Sequence, residues 1–369
     1  MSSFPTGSAP LSVASPEVAS SLEALLFRYG RCYDSYLGIE PGRDVFWSLG
    51  RDAVVTFVRN GRYLHISGGF IAPAVRKRQL LTELVDHATT QHLSLLFYNV
   101  PEDELRLFRE FGFQITKWGE EALLDLSDDP WRGGDYEWVR RQINHCRRKG
   151  LVCAECVLDE LPPGERTAVT AELTEVSAEP LAHKPQAEDM SFLEGRFDLT
   201  ALGRRRLFIA RADAGQGRIE GFLICNPCEN GAMWAFELYR YRTNSVRGTI
   251  PFLMAETMRR LHDESVSRVS LCLIPGLRCA TPLPGDSSLV RHSLSIAAKY
   301  FEFLFNSAGT FHFKSRFRPR FENRYLCVSP RMTLGSSWSF IKILGVLKLD
   351  PAKLWHAVIE RLRSICFRH

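Results

Sequence analysis

Hydrophobic and polar positions along the chain change period in the same order twice. In the first copy, residues 52–69 form two alternating runs on either side of Asn60-Gly61, a dipeptide that strongly indicates a tight β-hairpin. Leu80, Leu84 and Ala88 then recur at helical spacing. The elements predicted after the hairpin are a helix, a strand, a short helix and a closing strand, over residues 76–91, 93–100, 101–112 and 113–126.

The second copy repeats this order with one more strand at its start. Its predicted elements are three strands, a helix, a strand, a helix and a strand, over residues 205–213, 219–226, 232–242, 249–262, 269–274, 294–306 and 324–330. Strands that alternate with helices in this way build mixed sheets with helices on their faces. The pattern therefore predicts the α/β class, as a tandem pair of domains of the N-acetyltransferase (GNAT) type.

Composition divides the 369 residues into four segments. Ser, Pro, Gly and Ala dominate residues 1–22, which predicts a disordered tail. The two copies are predicted as separate domains, 23–160 and 161–330, in keeping with the usual domain size of roughly 100–200 residues. Residues 331–369 form the fourth segment, in which seven Lys and Arg face two acidic residues.

This basic C-terminal segment predicts an amphipathic helix that begins at Asp350-Pro351. Leu354, Val358 and Leu362 line one face of the helix, and lysine and arginine side chains occupy its polar positions. Such a helix suits the surface of an anionic membrane. It equally suits docking on its own domain or on a second subunit, so both interpretations stay open.

Neither a membrane span nor a secretory signal is visible in the sequence. A span needs roughly 18–20 consecutive apolar residues, and a signal needs a basic flank before an apolar run. We therefore predict a cytoplasmic protein, peripheral at the inner face of the membrane if its C-terminal helix binds lipid. The ten cysteines are expected to be reduced thiols, and a zinc site formed by the pairs Cys153/Cys156 and Cys225/Cys228 is the less favoured alternative.

An acetyltransferase of this type cradles the pyrophosphate of coenzyme A on a glycine-rich loop between a strand and a helix. In the second copy that place falls in residues 239–253, where Gly248 is the single glycine. In the first copy, Gly68-Gly69 is followed closely by Pro73. Neither loop suits coenzyme A, so we predict no cofactor and no metal ion.

Five stretches of the chain resemble a known family, the C-terminal domain of the phosphatidylglycerol lysyltransferases (multiple peptide resistance factor), also called aminoacyl-phosphatidylglycerol synthase-like or DUF2156. The stretches are residues 96–126, 136–150, 193–198, 236–256 and 313–330. They occur in the family's order, and the resemblance covers roughly residues 45–330. It implies a tandem acetyltransferase-like fold and aminoacyl transfer, without coenzyme A, from an aminoacyl-tRNA to a hydroxyl group of an anionic phospholipid.

An aminoacyl-tRNA is an activated ester, so the enzyme needs to orient an acceptor hydroxyl, hold the ammonium group and neutralise phosphates. Glu237 and Arg240 are the predicted catalytic pair. Their spacing of three places them on opposite faces of a strand unless a bulge intervenes. By resemblance, Glu237 holds the amino group and Arg240 binds phosphate. The alternative is an ordinary surface ion pair.

The densest basic cluster lies near the end of the second copy. Its cationic residues alternate with aromatic ones, which predicts a strand with one cationic face suited to phosphate, or a charged edge strand: Lys314, Arg316, Arg318, Arg320 and Arg324. We predict Asn306, Lys314, Arg316 and Arg324 as substrate-binding residues. By resemblance, Lys314 and Arg324 match the family's closing motif, and Arg324 is a phosphate ligand. Ala308 and Phe311 depart from the family's pattern, which bears on the identity of the amino acid or the acceptor.

A basic helix between the two copies is the predicted tRNA contact. Its cationic residues are Arg140, Arg141, Arg147 and Arg148, with Val139, Ile143 and Cys146 on the buried side. A solvated helix face is the alternative. No side chain is identified as a general base. Three functions are thus kept: transfer to a membrane lipid, transfer to a soluble small molecule, and a non-catalytic module that binds anionic membrane or RNA.

Overall fold

The computed structural model describes residues 11–12, 16–126, 131–182, 192–215, 217–300 and 307–345. The elements of the first half are β1 (Leu11–Ser12), α1 (Pro16–Tyr29), β2 (Asp44–Trp47), β3 (Val54–Asn60), β4 (Tyr63–Ile71), α2 (Lys77–Thr90), β5 (Ser94–Pro101), α3 (Leu105–Glu110) and β6 (Gln114–Asp125). The elements that follow are α4 (Glu137–Arg148), β7 (Val152–Glu155), α5 (Pro163–Ala182), β8 (Arg206–Arg211), β9 (Ile219–Cys228), β10 (Met233–Tyr241), α6 (Thr249–Asp263), β11 (Arg268–Pro275), α7 (Ser288–Tyr300), α8 (Ser307–Ser315), β12 (Arg320–Ser329) and α9 (Leu334–Ile343).

The strands form one mixed sheet in the order β1-β2-β3-β4-β5-β12-β6-β11-β10-β9-β8-β7. β4 pairs with β5 in parallel, and so does β10 with β11, whereas the other neighbours are antiparallel. The predicted α/β class with mixed strands is therefore confirmed. The hairpin at Asn60-Gly61 is confirmed too, since Asn60 pairs with Tyr63 and Gly61 has a φ of +61°, which glycine adopts without strain.

The final strand of each half pairs with the other half. β12 lies between β5 and β6, and β6 lies between β12 and β11. The expectation that residues 113–126 close the first copy is therefore wrong. Ala122 and Leu124 of β6 are buried beside α4 and α6, so the apolar face of this strand completes the core of the second half.

Two predicted boundaries shift in the structure. Helix α1 begins at Pro16 and Leu22 is fully buried, so the predicted tail of residues 1–22 overlaps an ordered helix. Leu22, Leu25 and Leu26 share one helical face that packs on the sheet, which the Ser-rich composition concealed. β7 precedes the predicted boundary at residue 160 yet pairs with β8, which ties the end of the predicted first domain to the second half.

The start of the C-terminal segment packs against the sheet. α9 begins with a capping box in which Thr333 and Ser336 exchange hydrogen bonds. Ser339 bonds the Nε2 atom of buried His65 at 2.8 Å, and Phe340 stacks on Tyr98. The amphipathic helix predicted from Asp350-Pro351 lies outside the described residues. None of the described helices combines the length and apolar character needed to cross a membrane.

Candidate functional site

A cavity opens in the second half where two parallel strands diverge. β10 and β11 pair through Ala235 and Ser270 and then separate. Each strand bulges there, β10 between Phe236 and Leu238 and β11 at Cys272, whose φ is +64°. Bulges redirect side chains and are common beside active sites. The cavity measures about 210 Å³ and is lined by Tyr33, Leu193, Glu194, Phe236, Glu237, Tyr239, Leu271, Cys272, Leu273, Ile274, Pro275, Ser307, Thr310 and Lys314.

Glu237 lies in this cavity because of the bulge in β10. Its Oε1 atom accepts a hydrogen bond of 2.9 Å from the backbone N–H of Gly195, and its Oε2 atom lies 3.8 Å from the Cys272 thiol. Burial raises the pKa of Glu237 to about 8, against the opposing effect of the Gly195 N–H. A carboxyl group in such a place is stabilised in its charged form by a cationic ligand, so the site favours an ammonium group.

Lys314 reaches the same cavity from α8. Its Nζ atom donates hydrogen bonds of 3.1 Å to the carbonyl oxygens of Cys272 and Leu273, at the bulge in β11. The side chain is buried, and burial lowers the pKa of Lys314. An ammonium group has three donors, so one remains for a ligand in the cavity.

The basic segment that contains Lys314 is not one strand, which corrects the sequence prediction. Residues 307–315 form α8, a turn follows, and β12 begins at Arg320. Phe313 and Phe317 pack in the core beside α4, and their spacing of four residues suits a helix as well as alternation does. The cluster is thereby split, with Lys314 and Arg324 buried and Arg316 at the surface turn.

Arg324 belongs to a buried hydrogen-bond chain across three strands. Its Nε atom donates to Glu121 Oε2 at 2.7 Å, and Ser270 Oγ donates to the other oxygen of the same carboxylate. Ser270 Oγ also accepts the backbone N–H of Cys272 at 3.0 Å, so the chain ends at the bulge that lines the cavity. Arg324 also lines a second cavity of about 460 Å³, together with Arg31, Arg268 and acidic side chains.

The structure places the other predicted substrate residues elsewhere. Arg240 is 7% exposed, does not line the cavity of Glu237, and donates to the carbonyl oxygen of Ser177 in α5 at 3.0 Å. Arg316 contacts His312 and lies over the ring of Trp138. Asn306 lies outside the described residues. Of the predicted set, the cavity therefore brings together Glu237 and Lys314, with Arg324 connected through Glu121 and Ser270.

The predicted tRNA-binding helix forms as α4, and the burial of Val139, Ile143 and Cys146 is confirmed. Arg147 pairs with Glu256 of α6 at 2.7 Å, and Arg140 donates to the carbonyl oxygen of Trp131. Arg141 lies 3.7 Å from Glu137, and Arg148 is exposed. Arg140 and Arg147 line a cavity of about 480 Å³ to which Arg132 and Arg259 also contribute.

Sequence reasoning missed several residues of the site. They are Tyr33, Glu121, Ser270 and Cys272, which come from three separate parts of the chain, and of these Glu121 alone lies in a stretch that resembles the family. The one available signal was Glu120-Glu121, two acids inside an otherwise apolar strand. Among the described side chains, no group of three or more His, Cys, Asp and Glu is placed to hold a metal ion, and the nine described cysteines are free thiols.

Sequence comparison provides the context for this geometry. The family described as "Phosphatidylglycerol lysyltransferase, C-terminal" matches residues 23–328, which is most of the chain and includes all three cavities and α4. The chain belongs to this family. The phosphatidylglycerol lysyltransferase of Bacillus subtilis is 23% identical over 330 residues, covering 89% of this chain and 37% of that protein. The phosphatidylglycerol lysyltransferase of Staphylococcus xylosus is 22% identical over 333 residues, covering 89% of this chain and 38% of that protein.

The chain thus spans less than two fifths of the length of these lysyltransferases. Solved structures share its fold, including those of two bacterial proteins. L-PGS from Bacillus licheniformis matches with a TM-score of 0.74 and 21% identity over 90% of this chain and 96% of that one. The second is the C-terminal domain (DUF2156) of a protein from Agrobacterium fabrum described as a lysylphosphatidylglycerol synthetase. It matches with a TM-score of 0.71 and 20% identity over 90% of this chain and 97% of that one. The fold that this lysyltransferase family member shares with both structures is of the predicted α/β class.

Proposed function

We propose that this chain transfers an aminoacyl group from an aminoacyl-tRNA to a hydroxyl group of an anionic membrane lipid such as phosphatidylglycerol. The observation that carries the proposal is the Glu237 carboxyl group, held in the cavity by the Gly195 N–H and raised in pKa by burial. Lys314 in the same cavity bonds backbone carbonyl oxygens, and a bound α-ammonium group would supply a cationic partner for the Glu237 carboxylate. Membership of the lysyltransferase family supports the same substrate class.

The reaction needs an acceptor hydroxyl, an ester carbonyl and a leaving ribose hydroxyl in one place. Attack on the carbonyl carbon moves negative charge to the carbonyl oxygen, and collapse of that intermediate releases the tRNA hydroxyl, which takes up the proton lost by the acceptor. Lys314 has one N–H beyond the two bonds to Cys272 and Leu273. We assign that donor to the developing oxyanion, where a fixed donor in a water-poor site contributes most.

Phosphate groups of both substrates need cationic partners. We assign Arg240 and Arg324 to phosphates near the two ends of the reaction site, with Asn306 and Arg316 as further substrate contacts. The arginines of α4 are assigned to the tRNA backbone, since four arginines and one carboxylate line the cavity between α4 and α6. The lipid acceptor implies that the chain works at the cytoplasmic face of a membrane, with the basic C-terminal segment near its anionic surface.

The test uses the full chain, bulk tRNA charged with a mixture of isotope-labelled amino acids, and vesicles that contain phosphatidylglycerol. Mass spectrometry of the extracted lipids should detect an aminoacylated lipid that disappears when the tRNA is uncharged or digested with ribonuclease. Glu237→Gln is the matched variant, since the amide keeps an oxygen for the Gly195 N–H but cannot hold an ammonium group by charge.

Three outcomes decide between the functions considered. Labelled lipid that depends on charged tRNA supports the proposal. Label on a soluble hydroxyl compound, when a small-molecule extract replaces the vesicles, keeps the aminoacyl transfer and replaces the acceptor. No labelled product from any amino acid, by a chain that still binds vesicles or RNA, contradicts the enzymatic function and leaves the binding module.

A further inference from the structure

The two halves of the sheet contain equivalent openings, and they are used differently. In the first half, β4 and β5 pair through Ile66 and Phe97 and then part, because β4 continues along β3 and β5 along β12. In the second half, β10 and β11 pair through Ala235 and Ser270 and then part in the same sense. A parallel pair that diverges leaves unpaired backbone and a gap between the strands.

The correspondence extends to single positions. Asn99 lies two positions after Phe97, the last residue of β5 that pairs with β4. Cys272 lies two positions after Ser270, the last residue of β11 that pairs with β10. Both Asn99 and Cys272 adopt a positive φ, of +59° and +64°. Gly68 follows the final paired residue of β4 by two positions, as Glu237 does in β10. The opening in the second half holds the cavity lined by Glu237 and Cys272.

The opening in the first half is filled by the chain itself. Ser35 Oγ donates to the carbonyl oxygen of Gly68 at 2.7 Å, and Asn99 Nδ2 donates to Asp34 at 2.6 Å. A Cβ atom added to Gly68 would lie 2.7 Å from the Cα atom of Ser35, so the fit allows no side chain there. The segment from Cys32 to Ser35 therefore occupies the space that its counterpart leaves open.

This segment also reaches the cavity of the second half. Tyr33 is 3% exposed and lines that cavity, together with Glu237 and Lys314. Its hydroxyl oxygen accepts a hydrogen bond of 3.0 Å from Asn99 Nδ2. Within the described part of the chain the phenol accepts this bond and donates none, so its proton remains available. Burial and the nearby Asp34 carboxylate raise the pKa of Tyr33 well above its ordinary value, which keeps the phenol protonated.

We propose that the first half contributes to the reaction through Tyr33, whose hydroxyl group donates a hydrogen bond to the carbonyl oxygen of the bound aminoacyl group, and that Asn99 is the positioning residue that holds this hydroxyl. The inference rests on the proposed aminoacyl transfer. Tyr33 and Lys314 then form a pair of donors for the same oxygen, one from each half of the molecule. The filled opening in the first half is what fixes the tyrosine in place.

Substitution of the hydroxyl alone tests the role of Tyr33. Tyr33→Phe should lower kcat on the order of 100-fold with a small change in KM, because removal of one oxyanion donor acts on the transition state. Tyr36→Phe is the matched control, since Tyr36 directly follows this segment and its hydroxyl bonds Glu23 and the Arg204 N–H, away from the cavity. The control should keep the wild-type kcat. Equal losses in both variants, or none in Tyr33→Phe, would overturn the assignment.

A double variant tests whether Asn99 acts through Tyr33. Asn99→Gly keeps the positive φ without strain and removes the side chain, so it should also lower kcat. If the amide acts by holding the phenol, Asn99→Gly combined with Tyr33→Phe should be no slower than Tyr33→Phe alone. Additive losses would show that Asn99 stabilises the fold independently of the phenol and would overturn its positioning role.

Ligand binding separates this inference from the proposed function. Lysinamide, argininamide, alaninamide and glycinamide carry the ammonium and carbonyl groups of an aminoacyl ester and cannot react, so thermal shifts report occupancy alone. A chain that binds one of them but transfers nothing contradicts the proposed function, and a small loss of affinity in Tyr33→Phe that Tyr36→Phe does not show still supports the contact. A wild-type chain that neither transfers nor binds any amide overturns both.

Discussion

Glu237 shows how one position in a strand acquires a chemical role. In a regular strand Phe236 and Leu238 would lie on one face and Glu237 on the other. In β10 Phe236 and Leu238 are buried in two different apolar cores. The bulge removes Glu237 from that alternation and turns its carboxyl group into the cavity. The cost of burying an acid there appears as a raised pKa, and a bound cation offsets this cost.

The raised pKa of Glu237 predicts a pH dependence of stability. The unfolded carboxyl group ionises near 4.5, whereas the folded one stays protonated to about 8. Between these values the folded state holds the extra proton, so the contribution of Glu237 to stability falls as pH rises through this window. Urea unfolding from pH 5 to pH 8.5 should therefore show that Glu237→Gln gains stability relative to wild type as pH increases. A difference between the two proteins that does not change with pH would contradict the assigned pKa.

Glu121 and Arg324 form the buried ion pair of the hydrogen-bond chain, with the carboxylate 1% exposed. Glu121→Gln removes the buried carboxylate from the Arg324 guanidinium and leaves Glu322 as its anionic partner, so we expect a loss of about 3 kcal/mol in the free energy of unfolding. Glu322 provides the matched control, since it contacts the same guanidinium from a half-buried position in which its side chain is 40% exposed. Glu322→Gln should cost less than about 1 kcal/mol in urea unfolding. Similar losses in both variants would show that burial of the Glu121 pair carries no special weight.

At the scale of single elements, local sequence patterns predicted those turns and helices whose formation depends on residues close together in the chain. The hairpin at Asn60-Gly61 and helix α6, predicted over 249–262 and observed over Thr249–Asp263, follow from turn chemistry and helical spacing within a few residues. Residues 313–325 were wrongly predicted as one strand, because basic and aromatic residues that alternate also satisfy the i, i+4 spacing of α8.

The rest of the site depends on contacts that no local pattern encodes. The sequence indicates Glu237 through its resemblance to a family motif. It allows for a bulge near Glu237 but does not predict one. Tyr33 joins the cavity from about two hundred positions earlier in the chain, and its role depends on the side chain of Asn99. The pairing of β6 with β11 and β12 is likewise set by which buried faces fit together across the two halves.

The arginines of α4 and its neighbour α6 give a prediction at the element scale. If the cavity between them binds tRNA phosphates, replacing Arg140 and Arg259 with alanine should weaken binding of every tRNA alike, because phosphate contacts carry no sequence information. The slope of log affinity against log salt should fall by roughly 0.7–0.9 for each phosphate that the variant no longer neutralises. Filter binding at several salt concentrations measures both quantities. Arg106→Ala, which replaces an exposed arginine of α3, is the control. An equal effect in this variant would show that the overall charge of the chain, and not the cavity, determines tRNA binding.

At the scale of the whole molecule, the exchange of β6 and β12 makes the two halves one structural unit. Each half lacks a central strand without the other, since β5 would lose its neighbour β12 and β11 would lose β6. The cavity depends on this union, because it takes Tyr33 from the first half and Glu237 from the second. The domain limits of 23–160 and 161–330 describe the repeat in the sequence and stay a prediction. Because each half needs a strand from the other, separate expression of either part is expected to give an unstable chain.

The C-terminal segment provides the final prediction, and α9 decides where to cut. A chain that ends at Gly345 keeps the contacts of Ser339 with His65 and of Phe340 with Tyr98, so its melting temperature should match that of the full chain. It lacks the predicted basic helix, in which each cationic group near an anionic surface is worth about 1 kcal/mol. The shortened chain should therefore lose binding to phosphatidylglycerol vesicles, while the full chain should release them as salt rises.

Transfer assays extend this comparison to the acceptor. If the segment serves to bring the site to a bilayer, the chain that ends at Gly345 should transfer poorly to vesicles yet keep its activity toward a short-chain lipid in solution. A chain that ends at Pro330 is the contrasting variant, since it also removes α9 from the apolar cluster of Tyr98 and Trp118 and should melt at a lower temperature. Unchanged vesicle binding after the cut at Gly345 would contradict a membrane role for the C-terminal segment, because the rest of the chain would then account for the attraction.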